Sequence, residues 1–261
     1  MRLAVLLALL AAGCIARDMS TVAPVPERVV IKDVPLAADL DVLFVIDNSA
    51  STLDKQALFE ANFQRFVDVL DTYPGGRPNL HVGVVDTTVD LGAPGFAGCP
   101  SPDPGDNGLL QPGSCGVTGR FLTDVATAGG RETNYRGDLA TAFTCMASVG
   151  DRGCGFEAPL EAMKRALDGS RPENTGFLRE GVPLAIVILT DEDDASVRDP
   201  SVFALPGARD HGDFIVQPEY AYACDQPISP TAPGTYTSCR VRTDSYLTDP
   251  SSYVQFLDTV K

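Results

Sequence analysis

Asp41-Val42-Leu43-Phe44-Val45-Ile46-Asp47-Asn48-Ser49-Ala50-Ser51 is the stretch on which the fold is decided. Val42 to Ile46 are consecutive apolar residues with branched types at both ends, the pattern of a strand covered on both faces of a parallel sheet. The run stops at Asp47, Ser49 and Ser51, three oxygen-bearing side chains at alternate positions, and an amphipathic helical pattern begins at Thr52. Strand, polar turn and helix follow in that order. In open α/β sheets such a junction, at the carboxyl end of a strand, is where ligands bind. Alternate spacing through an extended turn points Asp47, Ser49 and Ser51 to one side. Hard oxygen donors of that kind suit Mg2+ or Ca2+ and do not suit zinc or copper. The bland alternative makes Ser51 the N-cap of the next helix and Ser49 a turn former.

A second junction of the same type argues against the bland alternative. Val182-Pro183-Leu184-Ala185-Ile186-Val187-Ile188-Leu189 is another apolar run of strand character, and it ends in Thr190-Asp191-Glu192-Asp193-Asp194. Two buried strands thus end in carboxylates. Together, Asp47-x-Ser49-x-Ser51 and the later Thr190-Asp191 resemble the metal-ion-dependent adhesion site of von Willebrand factor type A domains, over roughly Asp41 to the C-terminus.

That resemblance implies a doubly wound α/β fold, mostly parallel, with helices on both faces. It also implies a bound Mg2+ or Ca2+ held by Asp47, Ser49, Ser51 and Asp191, and recognition of a protein partner whose acidic side chain completes the metal shell. Type A domains add a third metal-binding loop, usually with Thr, before the helix that precedes the Thr-Asp strand. By chain order this loop is Gly153 to Glu157, which has no Thr, so Glu157 is the expected ligand. Thr133, in Glu132-Thr133-Asn134, has the expected residue type but lies before an additional helix. With Asp47, Glu157 and Asp191 all at the ion, three negative charges would face two positive ones. The pull on a partner's carboxylate would fall, and the ion would become structural. Glu192 stands where type A domains often carry Gly.

The chain begins Met1-Arg2, continues with an apolar run from Leu3 to Ala12, and reaches small residues at Gly13-Cys14. This is the pattern of a secretory signal over residues 1–13, too short for a permanent membrane span. Ala11-Ala12-Gly13-Cys14 resembles a bacterial lipobox, which implies lipidation of Cys14 and a place in the cell envelope, at the outer membrane or cell surface. It departs from that motif in carrying Ala11 where Leu is usual, with Leu10 one place earlier. An ordinary signal peptide is the alternative. Residues 14–38, with Thr, Pro and mixed charge but no periodicity, read as a tether. Residues 39–261 then form the domain, with insertions at about 88–120 and 196–249.

A net charge of -15 argues against nucleic acid, whose phosphates would be repelled. It equally argues against adsorption to anionic lipid, so any membrane link runs through the acyl chains on Cys14. Setting Cys14 aside leaves Cys99, Cys115, Cys145, Cys154, Cys224 and Cys239, an even number in an exported chain and hence a disulfide framework. Pairing neighbours in order gives Cys99 with Cys115, Cys145 with Cys154, and Cys224 with Cys239. A zinc site is disfavoured, since there is no Cys-x-x-Cys and the only histidines are His81 and His211.

Phe59, Phe63, Phe66 and Leu70 share one face of a helix predicted over Thr52 to Tyr73, which Pro74-Gly75-Gly76 stops. Asn79 to Asp86 reads as a strand, with His81 a core or edge residue and Asp86 a further acid near the same rim. Phe121 to Val125 reads as a short strand, Gly137 to Val149 as a helix, and Leu160 to Leu167 as another with Pro159 in its first turn. Tyr220, Tyr222, Tyr236 and Tyr246, in the second insertion, are compatible with a recognition patch or with ordinary loop tyrosines. Ser251 to Lys261 begins an amphipathic helix. A type A domain would continue with one more strand and helix, so the chain reads as a fragment or an early stop.

Two other functions compete. One keeps the ion purely for stability in an envelope protein. The other is a Mg2+-dependent phosphoryl transfer enzyme with Asp47 as nucleophile. Haloacid-dehalogenase-like sites place a second Asp two residues later, where this chain has Ser49, so a non-enzymatic role is expected. A serine hydrolase lacks its Gly-x-Ser-x-Gly.

Overall fold

The computed structural model describes residues 39–90, 107–114, 116–204, 222–228, 234–242 and 244–260. Strand β1 (Asp39–Ile46) is its axis, fully buried from Asp41 onward. Val42, Phe44 and Ile46 point to one face, where they meet α1 (Leu53–Asp71) and α2 (Leu139–Ala147). Leu43 and Val45 point to the other, against α3 (Pro159–Leu167), with Tyr253 of α4 (Pro250–Val260) in the same cluster. Burying a Val, Leu, Ile or Phe side chain stabilises by about 1.5–3 kcal/mol. A strand covered on both faces collects that at every position, which is why it can be an unbroken apolar run.

β1 has a parallel neighbour on each side. β2 (Asn79–Asp86) pairs from Asp39↔Asn79 to Ile46↔Asp86, and β5 (Leu184–Leu189) pairs from Asp41↔Leu184 to Ile46↔Leu189. The carboxyl ends of all three strands are therefore level. β2 continues outward into an antiparallel hairpin of β3 (Phe121–Thr127) and β4 (Gly130–Thr133), giving the order β4-β3-β2-β1-β5. The fold is α/β, and the described residues form a mixed five-stranded sheet and four α-helices. The expected mostly parallel sheet is corrected by this hairpin: half of the strand pairings are antiparallel.

Phe44 anchors one core. Its ring lies 4.7 Å from that of Phe143 and 5.7 Å from that of Phe63, and Phe63 and Phe143 stack at 3.5 Å. The predicted stripe of α1 is thus what brings α2 onto the sheet. Part of the first insertion packs on the sheet as well: Leu110 is buried in the other core, and Gln111 N donates to Val84 O at 2.7 Å. The second insertion closes at its base through the Val197↔Leu247 bridge and Thr248 N on Ser196 O at 2.8 Å. A disulfide joins Cys224 and Cys239 beside the β6 (Tyr222–Ala223) and β7 (Arg240–Val241) ribbon, as expected from neighbouring cysteines.

Cys145 and Cys154 each take part in a disulfide, but among the described residues the bond shown between two named cysteines is that of Cys224 with Cys239. Cys99 and Cys115 lie outside the described residues, as do Cys14, the signal and tether segments, and Tyr220. Of the other insertion tyrosines, Tyr222 is exposed while Tyr246 packs against the core. Among the described residues no helix is long and apolar enough to cross a membrane.

Candidate metal centre

The chain leaves β1 on one side towards β2 and reaches β5 only later, on the other side. The loops after β1 and β5 therefore diverge around a crevice at the carboxyl edge of the sheet, the position where open α/β sheets bind ligands. Asp47 N donates to Leu189 O at 2.9 Å, carrying the parallel pairing one residue past the strand. Its carboxylate then accepts Ser49 N on Oδ1 and Thr190 Oγ1 on Oδ2, each at 2.8 Å. Two loops far apart in sequence meet at one carboxylate.

A second link lies beside the first. Ser51 Oγ donates to Asp191 Oδ1 at 3.2 Å, and Ser49 Oγ and Ser51 Oγ share a hydrogen bond of 3.1 Å. A serine hydroxyl has one proton. Because that of Ser51 goes to Asp191, Ser49 is the donor to Ser51, and both oxygens keep lone pairs for a cation. Asp47 is 0% exposed whereas the Asp191 side chain is 25% exposed, so the cluster runs from the core to solvent.

The turn is held from below. Thr52 Oγ1 donates to Asp47 O at 2.9 Å and Ser49 O at 3.0 Å, and buried Gln56 Nε2 donates to Asp47 O at 2.7 Å and Gly150 O at 2.8 Å. The N-cap position of α1 is Thr52, whose side chain makes no capping hydrogen bond, so Ser51 is not the N-cap. Asn48 Oδ1 accepts from Thr88 Oγ1 at 3.0 Å and Thr87 Oγ1 at 3.3 Å, which ties in the end of β2.

The Gly153 to Glu157 loop reaches the same edge. Gly153 N donates to Asn48 O at 2.6 Å, Cys154 N to Thr88 Oγ1 at 3.3 Å, and Ala195 N to Glu157 O at 2.7 Å. Glu157 is therefore buried between the β2 and β5 loops. Among the described residues no three His, Cys, Asp or Glu side chains come together as a metal cage, so the expected trio of Asp47, Glu157 and Asp191 is not assembled as one. Thr133 is elsewhere. On β4 it pairs with Asp124, which pairs with Leu80 at the start of β2, so it has three strands between it and β5 and lies at the far end of the sheet; its hydroxyl donates to Tyr135 O at 3.1 Å.

Asp86 does not point into the crevice: its carboxylate accepts Thr88 N and Gln111 Nε2, each at 3.1 Å. Asp194 accepts Leu160 N at 3.0 Å and Ser196 Oγ at 2.8 Å at the start of α3, and burial pushes its carboxyl up. His81 is half-buried on β2, an inner strand paired with both β1 and β3, with its Nδ1 2.9 Å from Phe177 O, and burial lowers its pKa.

Lys55, in the first turn of α1, is not among the site residues expected from sequence. Its ammonium sits 3.0 Å from Asp191 Oδ2 and 3.1 Å from Asp54 Oδ1, and donates to Ser51 O at 2.7 Å. Hydrogen bonding to Asp191 and then to Asp54 raises its pKa. The one sequence signal was a lysine in the first turn of a helix, where the macrodipole disfavours positive charge.

Two carboxylates and two serine hydroxyls within one hydrogen-bonded group, with no thiolate or imidazole among them, fit a hard divalent cation and no softer one. Neither a family model, nor a curated protein, nor a solved structure matches the chain.

Proposed function

We propose that this chain binds Mg2+ or Ca2+ between Asp47 and Asp191 and acts as a protein-recognition or adhesion module of the von Willebrand factor type A kind. In this proposal it is held at a bacterial cell surface through lipidated Cys14. The observation that carries the reading is the pair of links from the β1 loop to the β5 loop, Thr190 on Asp47 and Ser51 on Asp191. Asp47, Ser49, Ser51 and Asp191 would hold the ion. Once bound, it would supply a positive centre that a partner's carboxylate can complete. The solvent-facing side of Asp191 favours such recruitment. Among the described residues no third carboxylate joins Asp47 and Asp191 in a metal-binding group, so an ion held by these two would not be over-neutralised.

The test is titration of the protein with Mg2+, Ca2+ and Mn2+, followed by calorimetry and by Mn2+ spin resonance. Saturable binding is expected in the parent. Asp191→Ala, at the solvent edge, should weaken it by more than the roughly 10- to 100-fold that loss of a mere outer-shell partner costs. Asp47→Asn should do the same. No saturable binding in the parent, or full binding in both variants, sinks the assignment. Comparing Glu157→Thr separates a structural ion from a recruiting one: unchanged metal affinity removes Glu157 from the shell.

A further inference from the structure

We infer that Lys55 is a tethered cation which holds Asp191 until a divalent ion arrives, and so sets the ion affinity of the site. The inference rests on the metal reading above. Nζ has three protons, and three oxygens surround it: Asp191 Oδ2 at 3.0 Å, Asp54 Oδ1 at 3.1 Å and Ser51 O at 2.7 Å. Two of these belong to residues of the proposed shell. The ammonium thus occupies one oxygen of Asp191 while the Ser51 hydroxyl occupies the other.

Position in the helix makes the arrangement informative. Lys55 lies in the first turn of α1, whose N-terminus already carries about half a positive charge. Unfavourable with the dipole, it is balanced by Asp54 beside it and by Asp191 across the crevice. A divalent ion entering beside Asp191 meets both the ammonium and the helix terminus. It must either displace Nζ or be bound against it. Either way the ion is held less tightly than two carboxylates alone would hold it. Nζ is partly exposed, with 41% of the Lys55 side chain open to solvent, so it has water to swing into when displaced.

The test compares the full-length parent with Lys55→Met, which keeps the aliphatic stem, and Lys55→Arg, which keeps the charge. Affinity for Mn2+ is read by spin resonance and for Mg2+ by calorimetry, with thermal melting to check that each variant is folded. Removing one positive charge within a few ångströms of a divalent ion, partly screened by salt, should tighten binding about five- to tenfold in Lys55→Met. Lys55→Arg should stay within about twofold of the parent. Equal or weaker affinity in folded Lys55→Met overturns it while the metal reading stands. No binding in parent or Lys55→Met overturns both.

Discussion

Asp47 is held from both of its ends. Its carboxylate is taken by Ser49 N and Thr190 Oγ1, and its carbonyl by Thr52 and Gln56. Gln56 is buried, and its amide also serves Gly150 O. Gln56→Leu keeps the volume but withdraws one of the two donors to Asp47 O and the donor to Gly150 O, and losing a hydrogen bond of this kind costs about 0.5–1.5 kcal/mol. Denaturant melts should show a lower midpoint of that size at unchanged slope, together with weaker Mn2+ binding as the Asp47 turn loosens. Normal binding with lost stability would show that the turn is set by its own sequence.

His81 allows a pH prediction at the same scale. Burial depresses its pKa in the folded chain below the unfolded value near 6.5. The native state then binds fewer protons than the unfolded one, so stability is complete above about pH 6.5 and declines as pH falls from there towards the folded pKa. His81→Gln should flatten that part of the stability curve, and an unchanged slope would assign it to other groups. Asp47, Ser49 and Ser51 were legible from sequence because alternate spacing has a simple geometric meaning in an extended turn. Lys55 was not, because only the approach of the Asp191 loop distinguishes it from a solvated lysine.

Among elements, the apolar runs became strands and the phenylalanine stripe became the buried face of α1, because both are patterns dictated by burial. β4 escaped notice. Its four residues are all exposed, so no apolar period marks it, and the only sign was Ala128-Gly129-Gly130. Gly130 takes φ +125°, a turn geometry that glycine tolerates. With that turn goes the direction of β3, which a seven-residue strand does not disclose. The placement of the third loop depends on Gly153 in the same local way. A Cβ there would collide with the Asn48 side chain and stand 2.7 Å from Asn48 O, against the backbone the glycine itself hydrogen-bonds. Backbone cannot give way as a flexible side chain would, so Gly153→Ala should destabilise by about 1–3 kcal/mol. It should also raise amide exchange at Cys154 and Ala195, whose bonds fix the loop. Parent-like exchange with parent-like stability would refute this account of how Glu157 is placed.

On the scale of the whole molecule, the sheet brings together residues that no local pattern connects. Asp47 closes β1 and Asp191 follows β5, and between them the chain lays down the hairpin, α2 and α3 on two different faces. An ion bound by both would cross-link the earliest and latest strands of the sheet, and it would bind only where they are already level. Unfolding separates these ligands, so binding to the unfolded chain is negligible and the ion adds RT ln(1 + [ion]/Kd) to stability. At a hundredfold excess over Kd this is about 2.7 kcal/mol. For a domain of this size each kcal/mol raises the melting temperature by about 2–4 °C, so saturating Mg2+ or Ca2+ should raise it by about 5–10 °C. Asp191→Ala should show none of that rise, while Lys55→Met should reach it at lower ion concentration. A parent melting temperature that ignores both ions would mean that the two loops meet for packing alone, with Lys55 as the permanent counter-ion of Asp191.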